Sequence, residues 1–168
     1  MRRHSPITAT LLLLASGCSP DSAGGRAAAS IRAAFSPAAL PPDTIPEMLQ
    51  YHADLLVNVS EMARLPEGVL WADLAPGDGP EVVTGDSVEV ALWGWLPDGT
   101  PVDSAVSTLR VGEGHVIQGL DLGILGMKPG GRRQLVLPPG TAYGAEGTDR
   151  IPGYAVLVYL VELRRKLP

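Results

Sequence analysis

The sequence predicts a small α+β domain preceded by an N-terminal tail. Two observations predict the domain. From residue 69 onward, short apolar or alternating segments are separated by turns rich in Pro, Gly and Asp, and only residues 116–127 have the apolar spacing of a helix. The chain has 168 residues, enough for one domain and a tail, and its single cysteine excludes an internal disulfide bond.

The strands are predicted from alternating apolar residues and from the turns that bound them. Residues 69–74 precede a PGDGP turn, and residues 87–96 alternate before a PDG turn. Residues 132–137 are predicted to form a further strand. Residues 155–163 are almost continuously apolar, which predicts a strand in the centre of the sheet.

Composition argues against several classes of function. The formal net charge is −5, whereas a nucleic-acid partner would require a basic surface. Three histidines and one cysteine are too few for a typical zinc framework, so no metal site is expected. The sequence contains no Gly-rich phosphate loop and no recognisable nucleophile arrangement, and no cofactor is expected.

The first 18 residues have the pattern of a secretory signal that ends at a cysteine. Two arginines precede an apolar run at residues 7–15, which is far shorter than the ~20 residues of a membrane-spanning helix. The LASGC sequence at residues 14–18 resembles the lipobox of bacterial lipoproteins, whose cysteine takes a diacylglyceryl group. We therefore predict a signal peptide at residues 1–17 and lipidation at Cys18. An ordinary signal peptide and a twin-arginine signal are the alternatives.

Residues 18–42 are predicted to be the lipidated cysteine and a flexible tether. Of the 24 residues at 19–42, 18 are Ala, Ser, Gly or Pro, without a sustained period. No basic cluster accompanies them, so the acyl chains alone would hold the protein at a membrane. This arrangement places the protein in the bacterial cell envelope, with its domain on the periplasmic side.

Residues 43–67 are predicted to be helical or irregular. Thr44 and Glu47 have the spacing of a capping box, and apolar residues over 48–62 follow at three- and four-residue intervals, which is typical of an amphipathic helix. The β-branched Val57 and Val59 weaken this prediction. Such a helix would either pack against the domain that follows or form a dimer interface.

Six short motifs follow one another along the domain: WLPDGTPVDS at 95–104, VIQGL at 116–120, MKPG at 127–130, AYG at 142–144, IP at 151–152 and LVYLVEL at 157–163. Their order resembles that of the FKBP-type peptidyl-prolyl isomerases. Each motif alone is weak, but six in order at nearly the family's spacing are specific. On these motifs residues 68–164 are identified as an FKBP-type domain, followed by a C-terminal tail at 165–168.

The resemblance implies a curved antiparallel β-sheet of about five strands wrapped over one short α-helix, with an apolar pocket between them. It also implies cis/trans isomerisation at X-Pro bonds in unfolded or surface-exposed polypeptides, without a cofactor. Rotation of this bond has a barrier of ~18–20 kcal/mol but changes no covalent bond. A site that favours the twisted amide over the planar one is therefore sufficient. The sequence does not indicate an oligomeric state.

Carried over motif by motif, the resemblance implies three catalytic residues. Asp103 is the carboxylate that faces the pocket, Tyr143 donates its hydroxyl to a bound carbonyl, and Ile117 offers its backbone N–H. The implied substrate-binding residues are Leu92, Val102, Val116, Leu120, Ile151 and Tyr159. Asp103 could instead cap a turn, and Tyr143 could be a core aromatic. His115 is interpreted as a surface loop residue.

The pocket departs from the family's aromatic lining. Leu92 stands where a Tyr is usual, Val102 stands where a Phe is usual, and residues 107–109 supply no Phe. Without these aromatic rings the pocket is expected to be wider and to hold the prolyl ring less tightly, so weak isomerase activity is expected. A membrane-anchored binding module with little turnover is the alternative, favoured if Trp93 and Trp95 form an exposed apolar patch instead of packing against the N-terminal segment.

Overall fold

Six antiparallel strands and one short helix make up the part of the chain that the computed structural model describes, residues 44–168. The strands and the helix are β1 (Ala63–Arg64), β2 (Leu70–Ala75), β3 (Ser87–Trp95), β4 (Pro101–Arg110), α1 (Gln118–Ile124), β5 (Arg132–Leu137) and β6 (Leu157–Leu167). Turns of 3-10 helix lie at Pro46–Met48, Ala53–Leu55, Val59–Glu61 and Pro139–Thr141. The predicted signal peptide, Cys18 and the tether lie outside the described residues.

The strands form one sheet in the order β1-β2-β5-β6-β3-β4, and every pair is antiparallel. The predicted central position of the apolar strand is confirmed, because β6 lies between β5 and β3. The sheet therefore has one strand more than the five expected, and the two-residue β1 accounts for the small difference at one edge.

Helix α1 packs directly on the inner face of the sheet. Leu120 and Ile124 are buried in the main core, as the helical spacing predicts. Gly119 and Gly123 face β5, and a Cβ atom at these positions would lie 2.8 Å from Leu137 Cδ2 and 2.4 Å from Leu135 Cδ1 respectively. Two glycines four residues apart thus bring the helix backbone into contact with leucine side chains of the sheet.

Arg133 fastens the end of this helix to the sheet. Its side chain is only 6% exposed and donates two hydrogen bonds to the Asp73 carboxylate, at 2.6 and 3.1 Å. It donates two more, both at 2.9 Å, to the backbone carbonyls of Gly123 and Leu125 at the C-terminal end of α1. The guanidinium also lies 4.1 Å from the centroid of the Trp71 ring. One buried cation therefore joins α1, β5 and β2.

The outer face of the sheet is covered by the N-terminal segment, but not by a helix. The expected amphipathic helix over 48–62 is wrong, because the segment consists of three separate 3-10 turns joined by extended residues. The partly buried apolar residues fall largely at odd positions, a period of two that suits an extended chain: Leu49, Tyr51, Leu55, Val57 and Val59. The alternative that the segment packs on the domain is confirmed.

This segment is held to the sheet by polar contacts as well as apolar ones. Gln134 Nε2 donates to the Leu55 carbonyl at 2.7 Å, and His52 N donates to the Pro97 carbonyl at 2.7 Å. The Tyr51 hydroxyl donates to the Pro46 carbonyl at 2.8 Å, and burial raises the pKa of this hydroxyl well above its usual range. Within residues 44–168, no helix is long and apolar enough to cross a membrane.

Strand β4 is the element that the sequence patterns missed. It pairs with β3 over its whole length, yet only Val102 and Leu109 are buried among its ten residues. Its sequence, PVDSAVSTLR, has neither a continuous apolar run nor strict alternation. The preceding PDG turn and the β-branched residues were the available signals of a hairpin partner for β3.

The Arg133 contacts predict a large loss of stability when the guanidinium is removed. Arg133→Met should lower the free energy of unfolding by about 3 kcal/mol, because two helix carbonyls and Asp73 lose their donors. Arg133→Lys should cost less, since it keeps the charge but not the fork of N–H groups. Urea unfolding monitored by tryptophan fluorescence measures both. Equal stability of all three proteins would contradict the assigned role.

Candidate functional site

An open cleft lies between the inner face of the sheet and the chain that enters α1. Its volume is about 380 Å³. It is lined by Leu92, Asp103, His115, Val116, Ile117, Leu120, Tyr143 and Tyr159. Seven of the nine residues assigned by sequence to catalysis or substrate binding thus line one cavity. Of the other two, Val102 lines a neighbouring hollow and Ile151 is buried in the core.

Three neighbouring strands build the polar side of the cleft. Gly94 of β3 is paired with Asp103 of β4 on one side and with Tyr159 of β6 on the other. The Tyr159 ring crosses over Gly94, and its hydroxyl donates to Asp103 Oδ2 at 3.3 Å. A Cβ atom at position 94 would lie 2.7 Å from Tyr159 Cζ, so only glycine permits this crossing.

Tyr159 is fixed as a hydrogen-bond donor. The residue is 1% exposed, and burial raises the pKa of its hydroxyl well above the usual range of tyrosine. The neighbouring Asp103 carboxylate and Tyr143 hydroxyl raise that pKa further. Because the hydroxyl keeps its proton at neutral and moderately alkaline pH, it orients Asp103 under all ordinary conditions.

The opposite side of the cleft is formed by the loop before α1. Ile117 precedes the helix, and its carbonyl accepts hydrogen bonds from Leu120 N at 2.9 Å and Asp121 N at 3.2 Å. Its own N–H has no acceptor among residues 44–168. A backbone donor without a partner at the cleft can therefore bind a carbonyl oxygen of a ligand.

Asp121 holds this loop in place from within the helix. Its carboxylate is buried and accepts hydrogen bonds from Gly112 N at 3.1 Å and Gly114 N at 2.9 Å. Both glycines have positive φ angles, +85° and +71°, which glycine adopts without strain. The loop that carries Ile117 is thus tied to the helix that follows it.

The floor of the cleft is aliphatic. Leu92 and Leu120 are 4% and 2% exposed, and they belong to the main core. Val102 does not line this cleft but a neighbouring hollow, which it shares with Asp103. Ile151 is buried in the core, and its backbone pairs with Thr148 at the base of the loop that follows Tyr143.

Three residues of the site were missed or placed differently by sequence reasoning. His115 is an exposed loop residue, as expected, but it also lines the cleft and lies 3.4 Å from the Glu113 carboxylate. Gly94 was not singled out, although a glycine inside a strand often marks a close approach. Asp121 gave no signal, because nothing in sequence distinguishes its buried carboxylate from a solvent-exposed one.

The described part of the chain contains no group of three or more His, Cys, Asp or Glu side chains that could hold a metal ion. The cleft instead combines an apolar floor with a carboxylate, two tyrosine hydroxyls and one backbone donor. This set of groups can hold a small apolar ring and hydrogen-bond the carbonyls beside it.

Comparison with known proteins identifies the family. Residues 79–164, just over half of the chain, match the sequence model of the FKBP-type peptidyl-prolyl cis-trans isomerases. The chain belongs to this family. As a member, it is a peptidyl-prolyl cis-trans isomerase, and the curved antiparallel sheet over one short helix is the fold of its relatives.

Individual FKBP-type relatives match the same region. The FK506-binding protein of Neisseria meningitidis serogroup B is 42% identical over 102 residues, which are 57% of this chain and 94% of that protein. FK506-binding protein 15 of Mus musculus is 42% identical over 110 residues, 59% of this chain but only 9% of that protein. The crystal structure of a peptidyl-prolyl cis-trans isomerase from Pseudomonas syringae pv. tomato superimposes with a TM-score of 0.58 and 34% identity, over 64% of this chain and 81% of that one.

The crossing at Gly94 predicts a selective loss of isomerase activity. Gly94→Ala should displace the Tyr159 ring, break its hydrogen bond to Asp103 and lower kcat/KM about tenfold. Gly140→Ala is the matched control, because a Cβ atom there meets nothing within 4 Å. A proline-peptide isomerisation assay, with circular dichroism as the test of folding, measures both. Full activity of folded Gly94→Ala would show that the Tyr159–Asp103 contact is dispensable.

Proposed function

We propose that this FKBP-type isomerase acts on X-Pro bonds of unfolded or surface-exposed polypeptides outside the cytoplasm, and that its activity is weak. One observation supports the site: Asp103, Tyr143, Tyr159 and Ile117, whose N–H has no acceptor in the described part of the chain, line a single cleft with an aliphatic floor. These groups provide a binding site for the prolyl ring and for carbonyl groups on either side of it.

The proposed mechanism is preferential binding of the twisted amide. The prolyl ring lies on Leu92 and Leu120, while the Ile117 N–H and the Tyr143 hydroxyl donate to substrate carbonyls. Because the floor offers no hydrogen bond to the rotating amide, the site favours the state in which amide resonance is lost. Each tenfold acceleration requires about 1.4 kcal/mol of such preference, which a few well-placed contacts can supply.

Weak activity is proposed because the cleft has few aromatic walls. Leu92 offers less rigid apolar area than an aromatic ring, and Val102 faces the neighbouring hollow. An aromatic contact contributes on the order of 1 kcal/mol beyond its buried area. Tyr159 and Tyr143 are the aromatic residues that line the cleft.

The proposed location rests on the N-terminal sequence. An apolar run followed by LASGC supports export and lipidation at Cys18, with residues 19–42 as a tether to the domain. A domain held near the membrane outside the cytoplasm would encounter newly exported, unfolded chains. Such chains contain X-Pro bonds that isomerise over tens to hundreds of seconds without a catalyst.

A second candidate function, polypeptide binding with little turnover, is favoured by a hollow on the outer face of the sheet. This hollow has a volume of about 460 Å³, and Trp95, Leu160 and the exposed Leu56 and Leu74 line it together with Asp54 and Asp98. Apolar side chains beside two carboxylates suit an extended client segment that carries apolar and basic residues.

The activity itself is tested by two substitutions in the cleft. Asp103→Ala should lower kcat/KM at least tenfold, and Tyr143→Phe should lower it about tenfold or less, because each removes one polar contact to the substrate or its neighbours. Tyr154→Phe is the matched control, since Tyr154 is 44% exposed and does not line the cleft. A protease-coupled assay with a proline peptide measures all three. Unfolding of either cleft variant would instead assign that residue a structural role.

The weak activity is tested by restoring an aromatic wall. Leu92→Tyr should raise kcat/KM about tenfold if the added ring fits beside Tyr159, since about 1.4 kcal/mol corresponds to that factor. Leu92→Met is the control, because it keeps the volume without a ring. An inactive parent together with a folded but inactive Leu92→Tyr variant would favour the binding function over catalysis.

The anchor is tested at its only candidate residue. Cys18→Ala in the full chain should abolish metabolic labelling with a radioactive fatty acid and block normal removal of the signal peptide. Cys18→Ser controls for the loss of the thiol alone and should behave in the same way. Fatty-acid labelling that persists in either variant would overturn the lipoprotein assignment.

A further inference from the structure

The two edges of the sheet differ greatly in the backbone that they expose. At one edge, β1 contains only two residues. At the other edge, β4 contains ten residues, and it pairs only with β3 within the described part of the chain. One row of N–H and C=O groups along β4 therefore faces away from the sheet without a strand beside it.

The two ends of β4 carry Pro101, an irregular register opposite Gly94 and Trp95, and Arg110, but the middle of this edge lacks the features that usually prevent strand pairing. Residues 104–109 are Ser, Ala, Val, Ser, Thr and Leu, with neither a charge nor a proline. Natural edge strands are commonly protected by lysine, proline, bulges or short length. Here residues 103–106 are all exposed, and the apolar side chain of Val106 is 56% exposed. This stretch can accept an added strand without displacing any element of residues 44–168.

The edge is continuous with the cleft. Asp103 belongs to β4, lines the cleft and also lines the neighbouring hollow of about 390 Å³ beside Ser104 and Arg150. Leu92, in the floor of the cleft, is the cross-strand partner of Ala105. A polypeptide that leaves the cleft past Asp103 would therefore pass directly along the open side of β4.

The substrate itself has the conformation that such an edge requires. The residue before a proline is restricted to extended backbone, because the proline ring clashes with the α conformation. Residue X of an X-Pro bond in an unfolded chain is thus already close to the conformation of a β-strand, and a strand pairing with β4 can continue from it. Backbone pairing also binds many sequences, because its hydrogen bonds do not depend on the side chains.

We propose that the extended segment flanking the target proline pairs as an additional antiparallel or parallel strand with the free edge of β4. This inference rests on the proposed function, because it concerns the substrate of the same cleft. Backbone hydrogen bonds between the substrate and β4 would supply the binding affinity that aromatic contacts with the prolyl ring do not supply in this cleft. Longer substrates should therefore be isomerised more efficiently than short ones.

The test compares peptides of two lengths with the same X-Pro bond. A chromogenic tetrapeptide reports on the cleft alone, and two longer peptides carry six alternating Val and Thr residues on the N-terminal or the C-terminal flank. At least one extension should raise kcat/KM about tenfold. N-methylation of single flank amides should abolish this gain at alternate positions only, because every second amide of a paired strand points to its neighbour.

Two matched variants locate the effect on the protein. Val106→Lys places a charge on the β4 edge and should remove most of the gain from the extension without changing turnover of the tetrapeptide. Val83→Lys is the control, because Val83 is also 56% exposed but lies outside β4, and it should change neither rate. Thermal unfolding of both variants should match that of the parent.

Several results would overturn the proposal. No gain from either extension, or equal loss from N-methylation at every position, would exclude strand pairing while turnover of the tetrapeptide left the isomerase function intact. If the tetrapeptide is not turned over, the proposed function fails. Strand pairing is then tested by fluorescence anisotropy of the labelled long peptides, and binding that Val106→Lys does not weaken would overturn it. A dimer in sedimentation that Val106→Lys dissociates, with the length effect unchanged, would assign the edge to a second copy of the chain.

Discussion

The arrangement of the cleft depends on the buried guanidinium of Arg133. A helix of seven residues has few hydrogen bonds of its own, and its C-terminal carbonyls would be left without donors in the core. Arg133 supplies two of those donors from β5, while Asp73 on β2 balances its charge. The orientation of α1 is thereby fixed, and with it the position of Leu120 in the floor of the cleft and of Ile117 at its side.

Glycine determines how closely the other groups approach one another. Gly119 and Gly123 allow α1 to rest on leucines of β5, and Gly94 allows Tyr159 to reach Asp103 across a strand. In each case the space that a side chain would occupy is filled by a residue from another element. The shape of the site therefore depends on these glycines, which have no side chain, as much as on the polar groups that line it.

Much of this structure could be predicted from the sequence, and the failures have physical causes. Local patterns predict the strands that are bounded by turns rich in Pro, Gly and Asp, and they predict the buried face of α1. Tertiary packing favours the same structures in these segments. Strand β4 was not predicted, because an edge strand with only two buried residues has almost no hydrophobic pattern. The helix predicted over 48–62 is wrong because the apolar spacing there is compatible with both a helical period and the period of two of an extended chain. Packing on the outer face of the sheet favours the extended conformation. The Gly94 crossing joins three strands: the glycine within β3 marked a close approach, but nothing in the sequence identified Tyr159 and Asp103 as its neighbours.

Tyr159 shows how a cleft with an aliphatic floor can still present an ordered carboxylate. Leu92 and Gly94 occupy successive positions on the inner face of β3, and together they leave room for a ring that enters from β6. That ring supplies an aromatic wall, and its protonated hydroxyl fixes Asp103 at the start of β4. The polar side of the cleft thus ends on β4, whose outer edge pairs with no strand in the described part of the chain. In the proposed binding mode, Asp103 therefore marks the point at which an extended substrate would leave the cleft and reach the unpaired backbone of β4.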